Sequence, residues 1–275
     1  MRGFTQRRLK WLTLFAAATI AVGSAYVLWA AELQRFTYLS GWLLWALMLV
    51  LTAYNARKKL PFLPLGNSEI WLEFHSYAGY FTAVLFLAHL RFRWPTGGFE
   101  TGLFGLYLLV VVSGIVGLVF SRSLPKRLTA RGGEVLFERI PFIRRELQEK
   151  AEALALQSVT LAKSALIAEF YTHQLSDFFA GHRHYFYHLL EIRRPAIKLL
   201  AKVDDLKRFL NPDERTVADQ IASLIRQKDG LDYQHTLQLT LRLWLFVHLP
   251  VTYSLLLWSV AHIVLVYGFS AGAGR

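Results

Sequence analysis

Five apolar stretches limit what this chain can become. Runs of about 18 or more apolar residues are long enough to cross the hydrocarbon core of a bilayer as helices. Such runs lie at Trp11–Ala31, Tyr38–Tyr54, Ile70–Phe92, Gly102–Phe120 and Leu239–Ser270. Between the fourth and fifth, Ser121 to Gln238 is polar, charged and helix-periodic. The expected class is therefore all-α: an integral membrane bundle of about five helices, with a soluble helical insertion before the last. The organisation reads as a membrane region at 1–121, an insertion at 122–238, and a last membrane helix with a short tail at 239–275.

The basic start MRGFTQRRLK resembles a signal peptide, but the apolar run behind it exceeds the usual 7–15 residues of a cleaved core. It reads as a retained helix and signal anchor. The 275 residues carry a net charge of +12, and its placement favours topology over nucleic acid. Arg2, Arg7, Arg8 and Lys10 precede the first run, Arg57, Lys58 and Lys59 follow the second, and Arg122, Lys126, Arg127 and Arg131 follow the fourth. The alternate connections hold only Arg35, then Arg91 and Arg93, and the tail only Arg275. Cytoplasmic flanks are enriched in Lys and Arg. The expected orientation in a bacterial inner membrane places the N-terminus and insertion inside and the C-terminus outside. Membrane lipid is then the first partner, and no nucleic acid is expected.

Two of the runs carry paired histidines. EFHSYAGYFTAVLFLAHLRF holds His75 and His89, and LFVHLPVTYSLLLWSVAHIVLVYG holds His248 and His262, each pair fourteen residues apart. Fourteen helical residues rise about 21 Å and end about 40° short of four full turns. Each helix thus presents two imidazoles from nearly one face, at two depths. Both helices are expected to run the same way, so His75 and His248 share the inner level and His89 and His262 the outer. Two imidazoles at one level can clamp the iron of a flat haem from both sides, an arrangement suited to electron transfer. With no cysteine in the chain, thiolate iron–sulfur ligation and covalent haem attachment are excluded. Two b-type haems are the expected cofactors, with the inner pair His75/His248 and the outer pair His89/His262 as metal ligands. Ionisable residues inside membranes also serve as hydrogen-bonding glue or proton relays. A non-redox transporter or assembly factor with relay histidines is therefore the rival class.

Parallel H-x13-H pairs on two membrane helices resemble the cytochrome b of quinol-oxidising bc complexes and the ferric reductase/NADPH oxidase membrane domain. The resemblance covers the helices around the four histidines and implies that these are axial ligands. The chain departs from both patterns. It has no GxGxxG, no PEWY-type quinol motif, and a long insertion that neither family pattern contains.

Around the histidines, Gly102, Gly105, Gly114 and Gly117 line one helix and Gly79 follows His75 by a turn. They fit either close helix contact or room for a porphyrin edge. Arg242 on the inner side, and Arg91 and Arg93 on the outer, are placed for haem propionates or for lipid phosphates. Pro250 is expected to bend the last helix. Glu73 reads as an interfacial residue or a quinone or proton site. Trp71, Tyr77, Trp94 and Tyr267 read as interfacial anchors.

In the insertion, one long helix is expected from Phe142 to about Ala180, then a second from His184 towards Leu190. IKLLAKVDDLKRFL reads as a third, and the fourth opens at Asn211-Pro212 and ends at Gly230. His184 and His188 at i,i+4 spacing, with His182 and His173 nearby, could share a metal. The competing reading is a basic, aromatic contact surface for a partner subunit. His235 reads as the water-to-membrane boundary. The functional expectation is a diheme b-type subunit moving electrons across the membrane. Its partners would be a quinone or cytoplasmic redox protein on one side and a periplasmic one on the other, such as a c-type cytochrome or an iron–sulfur protein. A stand-alone quinol dehydrogenase or metal reductase is the alternative within the same chemistry.

Overall fold

The computed structural model describes residues 2–28, 33–59, 68–129, 135–162 and 165–272. All regular structure among them is helical. Residues 29–31 of the first expected span lie outside the described residues, as do Arg131 and Arg275. So do the side chains of Arg2, Arg8, Arg35, Arg57, Lys58 and Lys59. The chain divides into two units, residues 1–119 with 244–275, and residues 120–243.

The first unit contains α1 (Arg2–Leu28), α2 (Leu33–Lys59), α3 (Ser68–His89), most of α4 (Gly98–Thr129) and the end of α10 (Pro212–Gly272). α3 packs against both α1 and α2. Their directions follow from which ends meet. Arg7 near the start of α1 pairs with Glu69 at the start of α3 at 2.8 Å, so these two helices run together. Thr37 at the start of α2 contacts His89 at the end of α3, so α2 runs against them. Phe99 at the start of α4 stacks on Trp258 near the end of α10. Phe86, Leu85, Leu44, Tyr107 and Leu255 form the buried core that joins α2, α3, α4 and α10.

Among the described residues, four helices are long and apolar enough to cross a membrane: Leu9–Leu28, Phe36–Tyr54, Gly98–Thr129 and Pro212–Phe269. Five were expected, and α3 is the exception. Glu69, Glu73, His75 and His89 dilute its apolar content. It also ends at His89 rather than Phe92, because Arg91 and Phe92 take left-handed backbone (φ 54 each) and the Phe92 N–H turns back to Leu87 O. Many large apolar side chains on the other helices face outward, among them Leu12, Leu14, Leu109 and Leu257. Contiguous exposure of that kind suits acyl chains rather than water.

The second unit is built on α5 (Ile140–Ala162), α6 (Leu166–Phe170), α7 (Ser176–Ala180), α8 (Tyr185–Leu189), α9 (Arg194–Leu206) and the first part of α10. The expected single helix over 142–180 is not continuous. A π turn at Tyr171–Leu175 separates α6 from α7, and it lets Tyr171, Leu175, Phe178 and Phe179 all enter one core with Leu147 and Ile225. At the start of α10, Asn211 and Glu214 form a reciprocal capping box, 2.9 Å in each direction. Gly230 does not end this helix as expected. A mid-helix glycine weakens a helix by only about 1 kcal/mol. Burial of Ile225, Leu231, Tyr233 and Leu237 around it outweighs that.

The centre of this unit is charged. Lys228 is 0 % and Asp232 1 % exposed, and they pair through Lys228 Nζ and Asp232 Oδ2. Lys228 also donates to Gly181 O and lies over the Phe178 ring. Asp232 further accepts from the Arg183 backbone N–H and from Arg144. Removing one partner of a buried pair leaves the other charge uncompensated. Asp232→Ala is expected to lower unfolding free energy by about 3–5 kcal/mol, measured by denaturant or thermal unfolding.

His188, buried beside this pair, is pushed down to about 4, chiefly by burial and against the pull of Asp232. Burial lowers His182 as well. An imidazole whose folded pKa lies below its ordinary 6.5 stays neutral while the unfolded chain takes up a proton. Stability is therefore expected to be flat above about pH 6.5 and to fall on acidification towards pH 4. A His188→Asn variant followed by melting temperature against pH should show a shallower fall.

Candidate functional site

His89 is the last residue of α3 and His262 lies in the final turns of α10. Their ring centroids are 6.5 Å apart with the planes at 82°. They line a cavity of about 590 Å³ in the first unit, together with Gly41, Arg91, Arg93 and Glu100. That volume falls in the range of small-molecule and cofactor sites.

The proton on His89 can be placed from its partners. Its Nδ1 lies 3.1 Å from the backbone carbonyl of Thr37 and 3.1 Å from Ser40 Oγ. A carbonyl only accepts, so Nδ1 is the protonated nitrogen and Nε2 keeps its lone pair. Ser40 Oγ itself donates to Thr37 O at 3.1 Å. Metal-ligating imidazoles are held in this way, by their second nitrogen. Gly41 lets α2 come this close: a Cβ there would sit 2.9 Å from His89 Cε1. On the opposite wall, Phe99 stacks on His262 with centroids 6.3 Å apart and planes at 13°.

The separation of the rings can be tested against a shared metal. A metal–imidazole nitrogen bond is about 2.0–2.1 Å, and a ring nitrogen lies roughly 1.1 Å from the centroid, so two rings on opposite sides of one ion have centroids roughly 6.3 Å apart. His89 and His262 match that spacing within about 0.2 Å. Arg91 and Arg93, the expected outer basic residues, both line it. Arg91 Nε donates to Thr37 Oγ1 at 3.1 Å, which ties the left-handed turn at Arg91–Phe92 to α2. Strained backbone of this kind persists only where its surroundings hold it.

The inner histidines have other neighbours. His75 lies against Tyr54, with ring centroids 5.2 Å apart. His248 stacks on Trp244 at 5.3 Å and its Nδ1 lies 2.8 Å from Ser113 Oγ. The Ser113 hydroxyl also reaches Val110 O at 2.9 Å, so its one proton has two acceptors within reach, the carbonyl and the imidazole.

The glycines divide by position. Gly117 and Gly102 seat the rings of Trp244 and Trp258, which occupy the space a Cβ would need, and Gly114 faces His248 Cε1. Nothing lies within 4 Å of a Cβ at Gly79 or Gly105, so those two leave room. Arg242, the expected inner basic residue, pairs with Glu138 and lies 3.9 Å over the Phe137 ring. Glu73 lies 3.9 Å from Arg7. Tyr267 accepts a hydrogen bond from Trp42 Nε1 at 2.8 Å, and α10 runs through Pro250 unbroken.

The His188 N–H donates to the His184 carbonyl at 3.0 Å, the backbone step of the expected i,i+4 spacing. α8 begins at Tyr185, and His184 precedes it in left-handed backbone (φ 61). His182 meets His235 at 4.6 Å, and His235 stacks on Phe137. Among the described residues, no three or more His, Cys, Asp or Glu side chains group to hold a metal. Thr37, Ser40, Gly41, Phe99, Glu100 and Ser113 were not singled out in the sequence. Hydroxyl residues within apolar runs were the available signal.

No protein-family model, no curated protein and no solved structure matches this chain.

Gly41→Val is expected to push the His89 ring from its seat on α2. Any ligand that needs both imidazoles should then be lost while helix content by circular dichroism stays near wild type.

Proposed function

We propose that this chain is a membrane b-type cytochrome that carries electrons through the bilayer. The single observation behind the reading is the outer cavity. There the ring centroids of His89 and His262 lie 6.5 Å apart, close to the roughly 6.3 Å expected of two imidazoles on one metal, and His89 Nε2 is left unprotonated. Haem bound there would supply one-electron redox chemistry. His89 and His262 would be its axial ligands, with Arg91 and Arg93 placed for its propionates. His75 and His248 would hold a second haem at the inner level.

α3 is the fifth crossing helix in this reading. Its 22 residues span about 33 Å, and it packs against both α1 and α2. The N-terminus and the insertion lie on the cytoplasmic side of an inner membrane, and the C-terminus outside. The chain works as a subunit of a larger redox system. A quinone or soluble redox protein meets one end, and a c-type cytochrome or iron–sulfur protein the other.

Purified protein is expected to show a reduced-minus-oxidised b-type band with about two haems per chain. His89→Leu and His262→Leu should each remove one haem and leave the other, and His75→Leu should remove the one they leave. A folded but colourless protein would rule out this reading and favour relay histidines in a transporter or assembly factor.

A further inference from the structure

The second unit holds a cavity of about 740 Å³ whose lining is strongly basic. Arg183, Arg194, Lys198 and Lys202 line it, and among the described residues Asp177 is the sole carboxylate that does. Its floor is apolar, formed by Phe178, Pro195 and Leu199, and Tyr187 stands at the wall.

All four of these cations are exposed. Three of them, Arg194, Lys198 and Lys202, stand at successive i,i+4 positions on α9, where like charges repel. Two other lysines of this unit are matched locally. Lys150 pairs with Glu146, and Lys207 with both Asp204 and Asp219. In the cavity only Arg183 has a carboxylate partner, Asp177 at 3.5 Å. Lys202 donates to the neutral Gln174 side chain at 2.6 Å. The positive end of α9 opens into the same space, with no side-chain cap on its first turn. Left-handed backbone at His184 and Glu191 (φ 61 and 60) brackets α8, the helix that carries Tyr187. Strain of this sort clusters at ligand clamps.

We infer that this cavity binds a phosphate-bearing anion, with Arg194, Lys198 and Lys202 holding the charge and the apolar floor taking an attached organic group. Arginine forks and lysine point charges both suit phosphate oxygens. A soluble phosphate ester and a phospholipid headgroup share this chemistry. The inference requires nothing of the histidine sites.

The test titrates the full chain, in neutral detergent, with inorganic pyrophosphate and separately with short-chain phosphatidic acid, by calorimetry. Saturable binding of pyrophosphate supports a soluble ligand, and saturable binding of phosphatidic acid alone supports a headgroup. In either arm Lys198→Glu and Arg194→Glu should each weaken binding roughly tenfold or more. Arg145→Glu removes an exposed cation outside the cavity and should change nothing. Lys198→Gln, with an unaltered melting temperature, should show a smaller loss and serves if the charge reversal does not fold. Failure of both probes to saturate overturns the inference, as does an equal loss in Arg145→Glu.

Discussion

The first unit depends on finding partners for the polar groups of α3. That helix brings two carboxylates and two imidazoles into a bundle whose other members are mostly apolar. In a low-dielectric surrounding, an unpaired polar group is expensive to bury. Partners come from neighbouring helices: Arg7 of α1 for Glu69, and Thr37 and Ser40 of α2 for His89. These bonds fix more than energy. They set which turn of α1 and α2 lies beside which turn of α3. They also set the tautomer of the imidazole that faces the cavity.

A serine stands beside a histidine again on α4, where Ser113 Oγ lies 2.8 Å from His248 Nδ1. The two sites differ in what else the imidazole reaches. His89 Nδ1 also meets the Thr37 carbonyl, which only accepts, and that contact fixes its proton on Nδ1. Ser113 has Val110 O and His248 Nδ1 both within reach of its single proton, so the serine alone does not fix the tautomer of His248. A side chain-to-side chain bond and a side chain-to-backbone bond thus constrain an imidazole to different degrees.

The histidine spacing was legible because it depends on helix period alone, and that period survives in any packing. The helix directions were legible from the alternation of basic flanks, and the meeting of helix ends agrees with them. Four apolar helices were readable from length and hydropathy. In α3, His75, His89 and the glutamates lower the average of its apolar run. The insertion was less legible. Nothing local at Tyr171–Leu175 announces a π turn, because that turn answers to the core that Phe178 and Phe179 must reach. Gly230 carried a true local signal that tertiary burial overrode. The seat of His89 on Gly41 and Thr37 was not readable, because it joins residues about fifty positions apart.

The net positive charge also has to be divided differently once side chains are placed. As a sequence quantity it reads mainly as an orientation signal. Within the second unit, Lys228 is wholly buried and matched by Asp232, so it cannot report a flank facing anionic lipid. Arg127 is turned to the carbonyls of His188 and Leu189 and to Glu191, where it ties the end of α4 to the segment after α8. Lys126 and Arg122 flank the apolar run of α4 as an orientation signal requires. The cations of α9 are neither buried nor matched by acids, and they lie far along the chain from any apolar run. A flank signal does not need them, and helix stability is harmed by them. A charge pattern kept against its own repulsion calls for a counter-charge from outside the chain.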